Sequence, residues 1–257
     1  RGYFGDYFDL QTAGSDEVII PTRGGDWFDG GKWRDMHFHT WSPSHEVVRN
    51  AWNWGFNAIG TCNRVLSVLE KSEDSEQKIQ TIAEIKTMRA WYYYLMMDAY
   101  GNIPLVTTFG SDNELPNTTP REQIFQFIIT ELQENIDKLS EEKSEATYAR
   151  PTKWFAHALL AKTYLNGQVY TGTAYWDKVV EHANAIIASN KYSLENDFLL
   201  QFKPDNGPSN TEPIFSIPFD PTRATGNSLF LKVLHYASRI TFGLNTNPWN
   251  GWSAQPA

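Results

Sequence analysis

The chain has 257 residues with 22 basic and 30 acidic side chains, a formal charge of −8 and no basic cluster, which argues against nucleic-acid or anionic-membrane ligands. That length is ample for one large core or two modest ones. The single cysteine, Cys62, excludes an internal disulfide, and no apolar run approaches the roughly 18–20 residues of a membrane-spanning helix.

Aromatic residues are the outlier, with ten Trp, twelve Tyr and fifteen Phe, and many of the tryptophans sit in Gly- and Pro-rich segments. Loop tryptophans beside polar residues often mark binding surfaces, because an indole offers an apolar face and one N–H. Residues 1–42 show no sustained period and contain PTRGGDWFDGGKW, which reads as an ordered region of turns.

Helical patterning occupies residues 43–190. Ser42-Pro43 resembles an N-cap with proline in the first turn, and Val48, Trp52, Phe56, Ile59, Cys62, Leu66 and Leu69 recur at helical spacing as the expected core stripe. Trp54 and Asn57 fall on the opposite side, three residues apart and therefore adjacent. Val47, Val65 and Val68 share that side, so helix geometry leaves two readings open: an outward ligand platform, or a helix packed on both faces. Asp74-Ser75-Glu76-Gln77 then caps a central helix that is apolar around most of its girth from Ile82 to Ala99 and stops at Gly101. The next residues, Ile103-Pro104, force an extended exit. Thr119-Pro120-Arg121-Glu122 reads as a capping box before the stripe Ile124, Phe127, Ile128, Leu132, Ile136 and Leu139. Two more helices follow, one from Pro151-Thr152 to Gly167 and one over Trp176 to Ile187.

The segments around Ala90–Gly101 and Ala156–Gly167 align at an offset close to two 33–34-residue helix-turn-helix units. The prediction is an all-α, tetratricopeptide-like superhelix of helical hairpins with irregular aromatic-rich loops. Residues 191–257, rich in proline and ending in NPWNGWSAQPA, form an irregular segment that reads as the start of a further, C-terminal part.

Other chemistries fit poorly. A glycoside hydrolase needs two converging carboxylates, and although Asp26, Asp29 and Asp35 share one loop, no pattern marks one of them as a raised-pKa acid. His37, His39 and His45 match no zinc spacing and sit among aromatics, so packing or loop hydrogen bonds are expected of them. Gly24-Gly25 and Gly30-Gly31 read as turns rather than phosphate loops, and no cofactor is implied.

Four ordered motifs carry a family likeness. MRAWYYYLMMDAYGNIPLVT, TKWFAHALLAKTYLNG, TEPIFSIPFD and NGWSAQP resemble, in that order, segments of the SusD/RagB family of outer-membrane nutrient-binding lipoproteins, and PTRGGDWFDGGKW and WNWGFN look most like its starch-binding branch. The resemblance implies helical hairpins carrying loops that hold oligosaccharides at the cell surface. It also implies a lid over a SusC-like TonB-dependent transporter, without catalysis. It places the glycan contacts at Asp26 and Arg34, eight apart, with Asp29 as an alternative to Asp26, and at Trp52, Trp54 and Asn57. On this reading Trp54 stacks on the apolar face of a glucose ring, Asp26 and Asn57 bond its hydroxyls, Arg34 supplies a planar fork, and Trp52 supports. Trp249 and Trp252 offer a second stacking surface or, alternatively, a plug for the loop layer. Against the family pattern, the chain lacks the lipidated N-terminal cysteine and reads as the N-terminal half.

Overall fold

A computed structural model describes residues 3–110, 115–220, 222 and 225–254. A π-helical turn, Tyr3–Tyr7, leads into α1 (Phe8–Ala13), β1 (Val18–Ile19), α2 (Lys32–His37), α3 (Glu46–Leu69) and α4 (Glu76–Tyr100). Then come β2 (Ile103–Pro104), β3 (Thr118–Thr119), α5 (Arg121–Asn135), α6 (Lys153–Leu165), α7 (Gly167–Thr171) and α8 (Trp176–Ala188). The last elements are α9 (Leu229–Val233), α10 (Ser238–Phe242) and β4 (Ser253–Ala254). The all-α expectation holds, with strands limited to two-residue pairings among the described residues.

The chain divides into two compact units, residues 1–54 with 219–257 and residues 55–218. The sequence suggested separate segments at the two ends of the chain. In the structure both ends belong to the first unit, because β1 and β4 pair antiparallel with Val18 opposite Ala254 and Ile19 opposite Ser253.

The second unit is the helical scaffold. Gly55 of α3 meets Met96 of α4, and a Cβ at Gly55 would stand 2.2 Å from the Met96 sulfur, so only glycine lets the two helices approach this closely. Further along, Asn63 of α3 accepts from Arg89 of α4 at 2.8 Å, which makes the pair antiparallel, as expected of a helical hairpin. Helix α4 starts where the sequence placed it, with the Ser75 hydroxyl accepting from the Lys78 N–H, and Gly101 ends it at φ 74°. Its buried face carries Arg89 and Tyr93, one turn apart. Arg89 forms a two-point ion pair with Glu131 of α5 at 2.7 and 2.9 Å and also donates to the Thr107 carbonyl. The Tyr93 hydroxyl both donates to and accepts from the backbone of Val106. Together these side chains fasten the chain leaving α4 against α3 and α5. Cys62 lies buried nearby, and burial pushes its thiol up to about 11, which leaves it a small unreactive hydrophobe at neutral pH.

Three helix details differ from the sequence reading. Helix α3 starts at Glu46 because Ser42 to His45 form a turn closed by the His45 N–H on the Ser42 carbonyl. Thr119 does not cap α5, since it pairs in β3 opposite Ile103, and the Asn102 side chain accepts from the Arg121 N–H instead. The buried stripe of α3 runs through Val47, Ala51, Gly55, Ile59, Cys62 and Leu66, with Val48, Trp52 and Phe56 half-buried on its flank. Small residues line its centre, so large rings are displaced to the sides.

Helices α6 and α8 enclose a histidine pair. His157 Nδ1 lies 2.9 Å from His182 Nδ1, with Trp154 stacked on the first ring and Tyr164 on the second. One nitrogen donates and the other accepts, so the bond needs at least one neutral ring. Burial lowers both imidazoles. Lys153 adds to this for His157, as do His157 and Lys178 for His182, while Glu181 opposes it at both and Asp137 at His157. A lowered histidine supports the folded state above its ordinary value, and that support fades as pH falls through and below about 6.5. The melting temperature should therefore drop between about pH 7.5 and about pH 5, and a His182→Gln variant, measured by calorimetry, should drop less over the same range.

Candidate functional site

The first unit builds a cleft from the loop that drew attention in the sequence. Arg23 and Asp26 exchange backbone hydrogen bonds at 2.9 and 3.0 Å across Gly24, which adopts φ 63°. Gly30 and Gly31, at φ 68° and 88°, then swing the chain into α2, and the Asp29 carboxylate accepts from the Trp33 indole at 2.7 Å. Trp27 packs against Gly251, where a Cβ would stand 2.2 Å from its ring, and donates its N–H to the Trp249 carbonyl at 2.7 Å. Arg23 holds the same C-terminal segment through the Gly251 carbonyl and the Ser253 hydroxyl.

Between this loop, β1 and α2 lies a cavity of about 320 Å³. Buried Trp33 and Ile20 form its floor, and Phe28 and Phe38, 56% and 65% exposed, stand at its rim. Arg34 and His37 reach it from consecutive turns of α2.

The residues singled out in the sequence fare differently. Arg34 lines the cavity with its side chain 68% exposed, and its nearest acid, Asp35, lies 3.7 Å away. Asp26 is exposed, with one carboxylate oxygen accepting from the Tyr236 hydroxyl at 2.5 Å. Trp52 and Trp54 are both half-buried on opposite flanks of α3's buried stripe, so the expected contrast between a buried Trp52 and an outward Trp54 is softened. Trp54 packs against buried Tyr7, ring centroids 5.6 Å apart, and Asn57 is exposed one turn further along the helix. Trp249 is 40% exposed.

Trp252 is a correction. It is 4% exposed, stacks on Phe8 and lies under the Lys232 ammonium, within a core of Ala13, Ile20, Trp33, Met36 and Val47. Its pairing strand draws it inside, so it plugs the loop layer and cannot stack on a ligand. Lys232 also pairs with buried Asp9, whose carboxyl desolvation pushes up to about 6 against the pull of that ammonium.

His39 and His45 hydrogen-bond backbone carbonyls, of Gly14 and Lys32, as loop histidines should. Phe28, Phe38 and Tyr236 were missed by sequence reasoning. For the two phenylalanines the signal was present, since both lie within or beside the flagged aromatic loop. Nothing in the sequence pointed to Tyr236.

A model of the SusD-like family, described as "Starch-binding associating with outer membrane", matches residues 25–165. The chain belongs to the SusD-like family. The matched stretch contains Asp26, Arg34, Trp52, Trp54 and Asn57 and leaves out Trp249 and Trp252. The starch-binding protein SusD of Bacteroides thetaiotaomicron is 31% identical over 83% of this SusD-like chain and 38% of its own length. A SusD-like protein of Bacteroides ovatus is 25% identical over 97% of this chain and 51% of its own length. The chain thus spans about half, or less, of these relatives. Surface glycan-binding protein A of Bacteroides thetaiotaomicron, solved in complex with laminarihexaose, is similar with a TM-score of 0.78 over 96% of this chain and 53% of its own, at 20% identity. That likeness shows a shared fold, as does the TM-score of 0.80 over 98% of this chain and 46% of its own with a SusD-like carbohydrate-binding protein of Bacteroides fragilis at 20% identity.

Proposed function

We propose that the protein captures oligosaccharides at the outer-membrane surface, without catalysis, and delivers them to a SusC-like TonB-dependent transporter. The observation that carries this reading is the family match, which takes in the whole set Asp26, Arg34, Trp52, Trp54 and Asn57. Physical chemistry supports it. A half-buried indole is held firmly by its neighbours yet keeps surface for a sugar's C–H face, and exposed Asn57 beside it on the same helix both donates and accepts toward hydroxyls. Asp29 supports Trp33 instead, so Asp26 is the stronger choice for the acidic contact.

We assign a starch-like α-glucan as the ligand, on the strength of the relative named starch-binding. A β-1,3-glucan is the second reading, favoured by the neighbour that holds laminarihexaose. Isothermal titration with maltoheptaose and laminarihexaose, with xylohexaose as control, separates the two. Binding of maltoheptaose alone supports the first, and silence with all three and with acidic oligosaccharides as well removes the capture function. In that event a helical-repeat protein scaffold becomes the better account. A hydrolase would instead release reducing ends from soluble starch, lost in Asp26→Asn. Transporter delivery predicts that a SusC-like protein co-purifies with the membrane-bound form.

A further inference from the structure

The cavity beside α2 has a donor and acceptor balance that a neutral sugar does not match. Its lining includes no carboxylate among the described residues, although the chain has more acidic than basic residues. Neutral sugar hydroxyls donate as well as accept, and protein sites meet them with Asp, Asn or Glu acceptors. Here the indole N–H groups of Trp27 and Trp33 are already engaged, by the Trp249 carbonyl and by Asp29. What remains is the Arg34 fork and the His37 ring, with the Thr22 hydroxyl the one other polar side chain.

Arg34 is positioned for this use. Its Nη2 lies 3.2 Å from where a Cβ of Gly31 would stand, so the guanidinium rests over a glycine whose φ of 88° disfavours any side chain. The guanidinium to Asp35 separation of 3.7 Å, with both groups partly in solvent, is a weak competitor. Around it, Trp27, Phe28 and Phe38 supply flat apolar faces, and about 320 Å³ falls at the low end of small-molecule sites.

We propose that this cleft takes a carboxylate-bearing sugar, a uronate residue of an acidic oligosaccharide, with the carboxylate on Arg34 and His37 and the ring's apolar face against the aromatic rim. A planar guanidinium meets a carboxylate in two parallel hydrogen bonds, stronger and more directional than bonds to a neutral hydroxyl. The inference rests on the glycan-capture reading above but not on the starch-like assignment, since it places an acidic residue rather than a glucose at Arg34.

The test is isothermal titration of the wild type and of Arg34→Gln with trigalacturonate and, at equal length, maltotriose and laminaritriose, in about 20 mM and about 300 mM salt. A preference for the uronate of roughly tenfold or more at low salt, reduced in high salt and abolished in Arg34→Gln, is the expected result. A Phe38→Ala variant should weaken uronate binding while keeping its salt dependence. Neutral oligosaccharides binding as well as or better than the uronate would overturn the charged-ligand inference and leave glycan capture standing. Binding of none of them would overturn both.

Discussion

Replacing Glu131 by alanine is expected to cost about 3–5 kcal/mol of stability, read from denaturant unfolding. The residue is buried, and its two oxygens accept from Arg89 at 2.7 and 2.9 Å. The substitution leaves a guanidinium sealed inside the second unit with the Asn63 amide oxygen, the Thr107 carbonyl and the face of the Phe127 ring as its remaining partners among the described residues. Coulomb attraction in that interior repays the desolvation of both ions only while both are present, so removing one is worse than never having built the pair. The effect should spread beyond α5, because Arg89 also fixes the segment leaving α4. By contrast Lys178 and Glu181, an exposed pair three residues apart on α8, should be dispensable, and Lys178→Ala should leave the melting temperature unmoved.

Trp252→Ala is expected to cost a similar amount, about 3–5 kcal/mol, in the unfolding of the first unit. Removing a buried indole opens a cavity between Phe8 and Lys232 and weakens the seat of β4 on β1. The indole N–H of Trp252 is buried without an acceptor among the described residues, so Trp252→Phe keeps the stacking, sheds an unmatched donor and should lose far less. Trp249→Ala, three residues away with a 40% exposed side chain, should change stability little, since its structural bond to Trp27 uses the backbone carbonyl. Thermal unfolding of the three variants side by side distinguishes a plug from a platform.

Sequence made the scaffold legible because α4 states its limits in residues, Ser75 at one end and Gly101 at the other, around an apolar girth. The same holds for the likeness of α4 and α6. What it could not reveal are partnerships set by the fold. Nothing in the pattern joins Arg89 to Glu131, or marks Asn102 as the residue that takes over from Thr119 at the start of α5. On α3, drawing the stripe through the largest side chains shifted its centre by about one residue, since close helix approach selects Ala51 and Gly55 and leaves the rings on the flanks. Trp249 and Trp252 lie three residues apart in one turn-rich stretch, and the pairing of β4 with β1 beside Trp252 sends that one inward. Of the candidate site, the loop 22–34 and the helix carrying Trp54 were visible as aromatic-rich segments. The cleft needed the return of the C-terminal segment beneath Trp27.

The central claim is that an indole braced on α3 serves as a sugar platform, and one titration addresses it. Trp54→Ala, confirmed folded by circular dichroism, is titrated with the glycan that binds the wild type most tightly. Loss of a stacking surface worth roughly 1–3 kcal/mol predicts an affinity about five- to 140-fold weaker. An affinity equal to that of the wild type would contradict the account.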